Sequence, residues 1–203
     1  MKVIAITVSA LLLFGVAGKS QAATVDVTLS PFFTNVVGLN HIFNITILGN
    51  YHADGTEKLL GGALNLMFDQ SILNVKSVTV NAPTDISGNT GSINNTNGLV
   101  DTIGFATFSG IPGGPFSFAS IEFESIGFGQ SLLQLSDSTD LVFAWANENA
   151  EAVAVNSVNG IVNVTPVPLP AGAWLFVSGL GSLFALKIQR KIRRRRFREG
   201  DIS

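Results

Sequence analysis

An antiparallel β-sandwich, flanked by one apolar segment at each end, is the all-β fold this sequence predicts, and three observations carry it. Between residues 23 and 165, apolar and polar side chains alternate at period two, the repeat of a half-buried strand. The alternating runs are parted by short stretches rich in Gly, Pro, Asn and Asp, which supply the backbone conformations turns need. No stretch there carries the 3.6-residue apolar period of an amphipathic helix. Short strands with one dry face close a core by packing one sheet on another.

Charge divides the chain in the same places. Net charge is −2, from 12 basic and 14 acidic side chains. Residues 23–165 hold two lysines, Lys58 and Lys76, against twelve carboxylates, a net charge of −10. Such a domain excludes nucleic acid as a partner, because phosphates need a basic face. The absence of cysteine excludes disulfides, a thiolate zinc site and a thiol nucleophile.

In chain order, Lys2 precedes a 14-residue apolar run from Val3 to Val16, followed by small and polar residues. That is the layout of a secretory signal peptide over residues 1–22, a signal helix cut between Ala22 and Ala23. The run is too short for a span, which wants about 20 apolar residues. Gly18-Lys19-Ser20 ends like a phosphate-binding loop, but Leu13 stands where the first glycine belongs.

The strands follow. Phe43, Ile45 and Ile47 alternate with Asn44 and Thr46; Leu64, Leu66 and Phe68 alternate with Asn65 and Met67. Ile121 and Phe123 alternate with Glu122 and Glu124, Leu133 and Leu135 flank Gln134, and Val162 and Val164 flank Asn163. Turns are expected at Asn50 to Gly55, Asn81 to Gly91, Ser109 to Pro115 and Ser136 to Asp140.

At the C-terminus, residues 166–203 begin with Pro166-Val167-Pro168-Leu169-Pro170-Ala171, and Ala171 to Leu186 are 16 uncharged residues. As a helix these cover about 24 Å at 1.5 Å per residue. Val167, Leu169, Ile188 and a snorkelling Lys187 extend the expected transmembrane helix, 171–188, towards a core about 30 Å thick. Residues 187–203 carry eight basic side chains, which places that tail in the cytoplasm and the middle domain outside.

Two resemblances sharpen these expectations. Val167-Pro168-Leu169-Pro170-Ala171, then Trp174-Leu175, Ser178-Gly179-Leu180 and arginines, resembles the VPLPA-CTERM variant of the PEP-CTERM sorting signal. That resemblance implies processing by an exosortase, export across the inner membrane of a Gram-negative bacterium, and a link to exopolysaccharide and biofilm matrix. The run Gly61 to Val78 is similar to the cohesin pattern of a strand, Tyr-Asp-Pro and a second strand, with Phe68-Asp69-Gln70 in the turn. Ala119 to Phe123 with Gly129 to Leu135 resemble its later strand pair, and Val158 to Val164 its closing strand. The resemblance runs from about Val25 to Val164 and implies a cohesin-like jelly roll. Cohesins bind dockerins, but a shared sandwich does not transfer the partner.

Candidate sites are few. His52-Ala53-Asp54 is the one close His/Asp pair, and it falls in a polar turn. Glu122 and Glu124 share a strand face about 7 Å apart, a spacing open to glycosidase carboxylates, yet with Phe123 inward they face water. No Gly-x-Ser-x-Gly elbow or His-Glu-x-x-His helix occurs, so the chain is read as no enzyme and without a catalytic or cofactor site. Asp137-Ser138-Thr139-Asp140 and Asn147-Glu148-Asn149 offer hard oxygens for a structural calcium ion, against the commoner use of such residues in turns. Asn44, Asn94 and Asn163 head Asn-x-Ser/Thr sequons. Tyr51 and Trp145 are the aromatic side chains available to a ligand. The expected function is a non-catalytic binding or scaffold module at the cell surface or in the matrix, with a protein or polysaccharide partner. The alternatives are a carbohydrate-binding module and a permanently anchored surface protein.

Overall fold

The computed structural model describes residues 22–168 and, beyond them, Gly172, Leu175, Phe176 and residues 178–180. The expected signal peptide, except Ala22, lies outside the described residues, as do Leu169, Pro170 and Ala171 of the sorting motif. Val167 and Pro168 are exposed, and the described residues from Gly172 to Leu180 are helical. Among the described residues no helix is long and apolar enough to cross a membrane; most of the expected span, 171–188, lies outside them.

Twelve strands are formed among the described residues: β1 (Thr24–Ser30), β2 (Phe33–Val37), β3 (Ile42–His52), β4 (Leu59–Met67), β5 (Leu73–Val80), β6 (Ser87–Asn94), β7 (Leu99–Ile111), β8 (Gly114–Ser125), β9 (Gly129–Asp137), β10 (Ala146–Asn147), β11 (Ala154–Ser157) and β12 (Gly160–Thr165). A 3₁₀ turn, Leu141–Phe143, separates β9 from β10. One sheet runs β11-β1-β3-β8-β5 and the other β2-β12-β9-β4-β7-β6, with β10 paired to β4. The fold is thus an all-β sandwich.

The alternation sends the expected side chains inward. Ile45, Ile47, Leu64, Leu66, Ile121, Phe123, Leu133, Leu135, Val162 and Val164 are all buried between the sheets. Phe105 lies at the centre, edge-on to Phe118 at 5.5 Å between ring centroids and to Phe116 at 6.1 Å. Edge-to-face geometry sets a positive ring edge against a negative ring face, which adds to the area buried.

Several expected turns are shorter than the composition implies. β3 runs on through Asn50, Tyr51 and His52, and β7 and β8 leave only Pro112 and Gly113 between them. Ser87 to Gly91, read as turn, opens β6, an edge strand that pairs with β7 from Ser87↔Ala106 to Asn94↔Leu99. Its glycines and asparagines are poor strand formers, and the hydrogen-bond ladder to β7 overrides that propensity. The antiparallel expectation has an exception too: β1 pairs β11 in parallel, Val25 opposite Val155.

Strand directions define two poles. Ile42, at the start of β3, lies opposite Glu124, and His52, at its end, lies opposite Thr24. Val164, near the end of β12, lies opposite Gly129. The chain therefore leaves the sandwich at the pole of the β2–β3 and β8–β9 loops.

Candidate binding face

The outward face of β2, β12, β9 and β4 is built by residues one step out of phase with the core. Ile161 lies opposite Leu132 and Asn163 opposite Gln130; Met67 lies opposite Gln134 and Asn65 opposite Ser136. β2 lies against β12: the Ile161 N–H donates to the Phe32 carbonyl at 3.0 Å, and Asn163 Nδ2 donates to Asn35 Oδ1 at 3.1 Å. Those two contacts require β2 and β12 to run in the same direction, so Phe33 falls beside Ile161. Phe33, Leu132 and Met67 are each about half exposed, at 49%, 51% and 49%. None of these outward residues carries a charge, in a domain of net charge −10. Apolar groups with interspersed amides and no charge to desolvate are the composition of an interface centre.

Tyr51 and Trp145, the aromatic ligand candidates, are both in the core, 1% and 5% exposed. This corrects the expectation that either meets a ligand. Tyr51 lies on the inward phase of β3, next but one to Gly49 and opposite Val25 of β1. Its hydroxyl is buried without a hydrogen-bond partner. Burial first, and then the carboxylates of Glu57, Glu148 and Glu151, push its pKa up, so the phenol stays neutral. The Trp145 ring stacks on Phe118, and its Nε1–H donates to the Ala63 carbonyl at 2.9 Å.

The polar candidates are dispersed or already engaged. His52 Nε2 lies 2.9 Å from Asp26 Oδ2 across the β1–β3 ladder and 3.2 Å from Asn50 Nδ2. Hydrogen bonds from Asn156 first, and then from His52, hold the Asp26 carboxyl below its ordinary pKa. Glu124 pairs with Lys76 Nζ at 3.2 Å, while Glu122 lies opposite Asn44. Neither carboxylate is buried. Asp140 Oδ1 accepts from the Val142 N–H and caps the 3₁₀ turn. Asn147 Oδ1 accepts from the backbone N–H groups of Asn149 and Glu151. These oxygens of the two proposed calcium loops are occupied by turn chemistry, and burial raises the Asp137 pKa. Among the described residues no three His, Cys, Asp or Glu side chains gather as a metal would require. Of the sequon asparagines, Asn44 and Asn94 are exposed and Asn163 is bonded to Asn35.

Sequence reasoning missed Phe33. β2 is only five residues long, and Phe-Thr-Asn between Pro31 and Gly38 offers a single period of alternation. Ile161 and Leu132 were readable, since each stands one step from a core residue, Val162 and Leu133.

No family model matches the chain, and no curated protein matches it. Solved cohesins share the fold. The OlpC cohesin of Clostridium thermocellum, in complex with the dockerin Doc435, superposes with a TM-score of 0.55 at 14% identity, over 74% of this chain and 99% of that one. The seventh ScaB type I cohesin of Pseudobacteroides cellulosolvens gives 0.51 at 16% identity, over 72% and 96%. The third ScaC cohesin of Acetivibrio cellulolyticus, in complex with the ScaB dockerin, gives 0.51 at 14%, over 70% and 99%. At these identities the likeness shows the fold, a cohesin-like sandwich.

Proposed function

We propose that this chain is an exported, non-catalytic module that binds a protein partner outside the cell through the outward face of β2, β12, β9 and β4. The observation that carries the reading is the uncharged, apolar-and-amide surface centred on Phe33, Ile161 and Leu132 in a strongly acidic domain. The solved neighbours in complex with dockerins support a protein ligand for such a sandwich. The dispersal of the titratable groups argues against catalysis, which needs convergent acid, base and oxyanion partners. The buried rings of Tyr51 and Trp145 argue against the carbohydrate-binding alternative.

The test is binding by the full chain and by Leu132→Glu with Ile161→Glu, with the producer's extracellular matrix as the source of partner. Both side chains face outward, so the variant keeps its β-rich spectrum and melting temperature. A partner retained by the wild type is expected to lose at least about tenfold in affinity, since central apolar positions dominate an interface. Retention at equal strength assigns the partner to another face.

The C-terminal sequence adds the route. We infer that Val167 to Ala171 is read by an exosortase, and that the apolar span and arginine tail hold the chain in the inner membrane until cleavage. Proline cannot continue a helix and biases the residue before it towards extended backbone, a form suited to recognition by a membrane-embedded enzyme. Such sorting suits a role in the surface or exopolysaccharide matrix of a Gram-negative cell. Intact mass spectrometry of mature protein is expected to show loss of Ala171 to Ser203. Pro168→Ala with Pro170→Ala is expected to leave full-length chain in the membrane. An arginine tail still present on surface-displayed wild-type protein establishes a permanent anchor instead.

A further inference from the structure

The pole from which β12 runs out is apolar, and the structure shows how its parts are joined. Ser125, at the end of β8, is the fastening point. Its Oγ accepts from the His41 N–H and donates to the Gly38 carbonyl, both at 3.0 Å, and its carbonyl accepts from the Asn40 N–H at 2.7 Å. These bonds hold the β2–β3 loop against the β8–β9 loop, which is itself tied down by Ile126 and Gly127 N–H bonds to the Ile72 carbonyl. Val37, Leu39, Ile42, Ile126 and Phe128 are thereby gathered at one end, each between 42% and 54% exposed. Scattered exposed hydrophobes are ordinary; five on two interlocked loops and the strand ends that flank them are a patch.

Charge is arranged to match. Two carboxylates near this pole are engaged: Asp69 accepts from the Ser71 N–H and hydroxyl at 2.8 and 2.6 Å, and Glu124 is paired with Lys76. The opposite pole carries Asp54, Glu57, Asp85, Glu148 and Glu151, with Lys58 as the cation among them. The domain is therefore apolar where the chain leaves and acidic at the far end. Six residues, 165–170, separate Val164, opposite Gly129, from Ala171 and the 16-residue uncharged run. Extended, they reach about 25 Å at most.

We propose that this pole is a lipid-resting surface: Val37, Leu39, Ile42, Ile126 and Phe128 bed in the interfacial layer of the bilayer while the C-terminal segment is attached. The proposal rests on the reading of 171–188 as a membrane span. The short tether keeps the pole close to the bilayer, and apolar side chains without unpaired charge enter the headgroup boundary at little desolvation cost. The acidic pole stays in water, away from anionic lipid. The domain is then oriented with its uncharged binding face along the membrane normal and open to a partner.

The chain has no cysteine, so single-cysteine labelling is clean. Four variants of the full chain, Leu39→Cys, Phe128→Cys, Thr56→Cys and Asn149→Cys, carry an environment-sensitive dye and are reconstituted in vesicles of phosphatidylethanolamine and phosphatidylglycerol. The first two mark the apolar pole and the others the acidic pole. Dyes at 39 and 128 are expected to shift to the blue and to be quenched at least about twofold by headgroup spin-labelled lipid, with those at 56 and 149 unaffected. Flotation with the vesicles and all four dyes in water leaves the anchor standing and overturns the lipid contact. Failure to float overturns the anchor, and the contact with it. A blue shift that grows with the protein-to-lipid ratio and brings energy transfer between copies assigns the pole to a second copy and also overturns the proposal.

Discussion

Trp145→Ala is expected to cost about 3–5 kcal/mol of folding stability, the range for removing a large aromatic side chain from a close-packed core. The indole stacks on Phe118 at 5.8 Å and meets Phe105 edge-on at 6.3 Å. It is seated over Gly62, where any Cβ would overlap the ring. Alanine leaves a void the size of the indole and removes one of the two donors to the Ala63 carbonyl, Nε1–H, leaving the Ser138 N–H at 3.2 Å. At about 2–4 °C per kcal/mol for a domain of this size, the melting temperature falls on the order of 10–15 °C. Urea or thermal unfolding of wild type and variant measures it. An unchanged midpoint accompanied by weakened binding to a glycan would return Trp145 to the role of a ligand platform.

Gly98→Ala is expected to destabilise the fold by about 3 kcal/mol although it adds a single methyl group. Gly98 sits at φ +65°, a left-handed conformation that costs an L-residue about 1–2 kcal/mol. The remainder comes from contact: a Cβ at this position points into the Phe68 carbonyl, and Gln70 Oε1 lies 2.9 Å away. Neither the β4 end nor the turn can withdraw, because the Phe68 N–H is bonded to the Gly98 carbonyl at 2.8 Å. Gly113→Ala is the control. Its Cβ would meet nothing nearer than 3.6 Å, and its φ is not left-handed, so the change stays within about 0.5 kcal/mol. Equal midpoints for the two variants would show that the β6–β7 turn is not held as the structure has it.

Both variants touch features on which sequence and fold differ in legibility. The inward phase of β3, β4, β8, β9 and β12 could be read directly, because alternation is a local property and one face of each strand must leave water. Tyr51 belongs to that same phase: it stands four residues beyond Ile47 on β3. Its neighbours Asn50, His52 and Asp54 carry the composition of a turn, and β3 continues through the first two because β1 and β8 flank it on both sides with unsatisfied backbone groups. Strand pairing decided the matter, not the residues themselves.

What the sequence determined by itself is what depends on neighbours along the chain: the all-β class, the dry face of β3, β4, β8, β9 and β12, the acidic middle, and the apolar and basic segments that carry the expected addresses. What only the tertiary structure decided depends on residues far apart. It set Trp145 against Gly62 and Phe118, His52 against Asp26, and Asn163 against Asn35, at separations of 26 to 128 residues where a hydrogen bond joins them. It also made strands of β2 and β11, whose few residues form no ladder alone and are held by β12 and β1. The physical reason is that a period-two pattern specifies which way a side chain points relative to its own strand. Which strand lies next to it, and so whether an exposed or buried partner awaits, is settled only when two sheets close on a common core and every buried backbone group must find a bond.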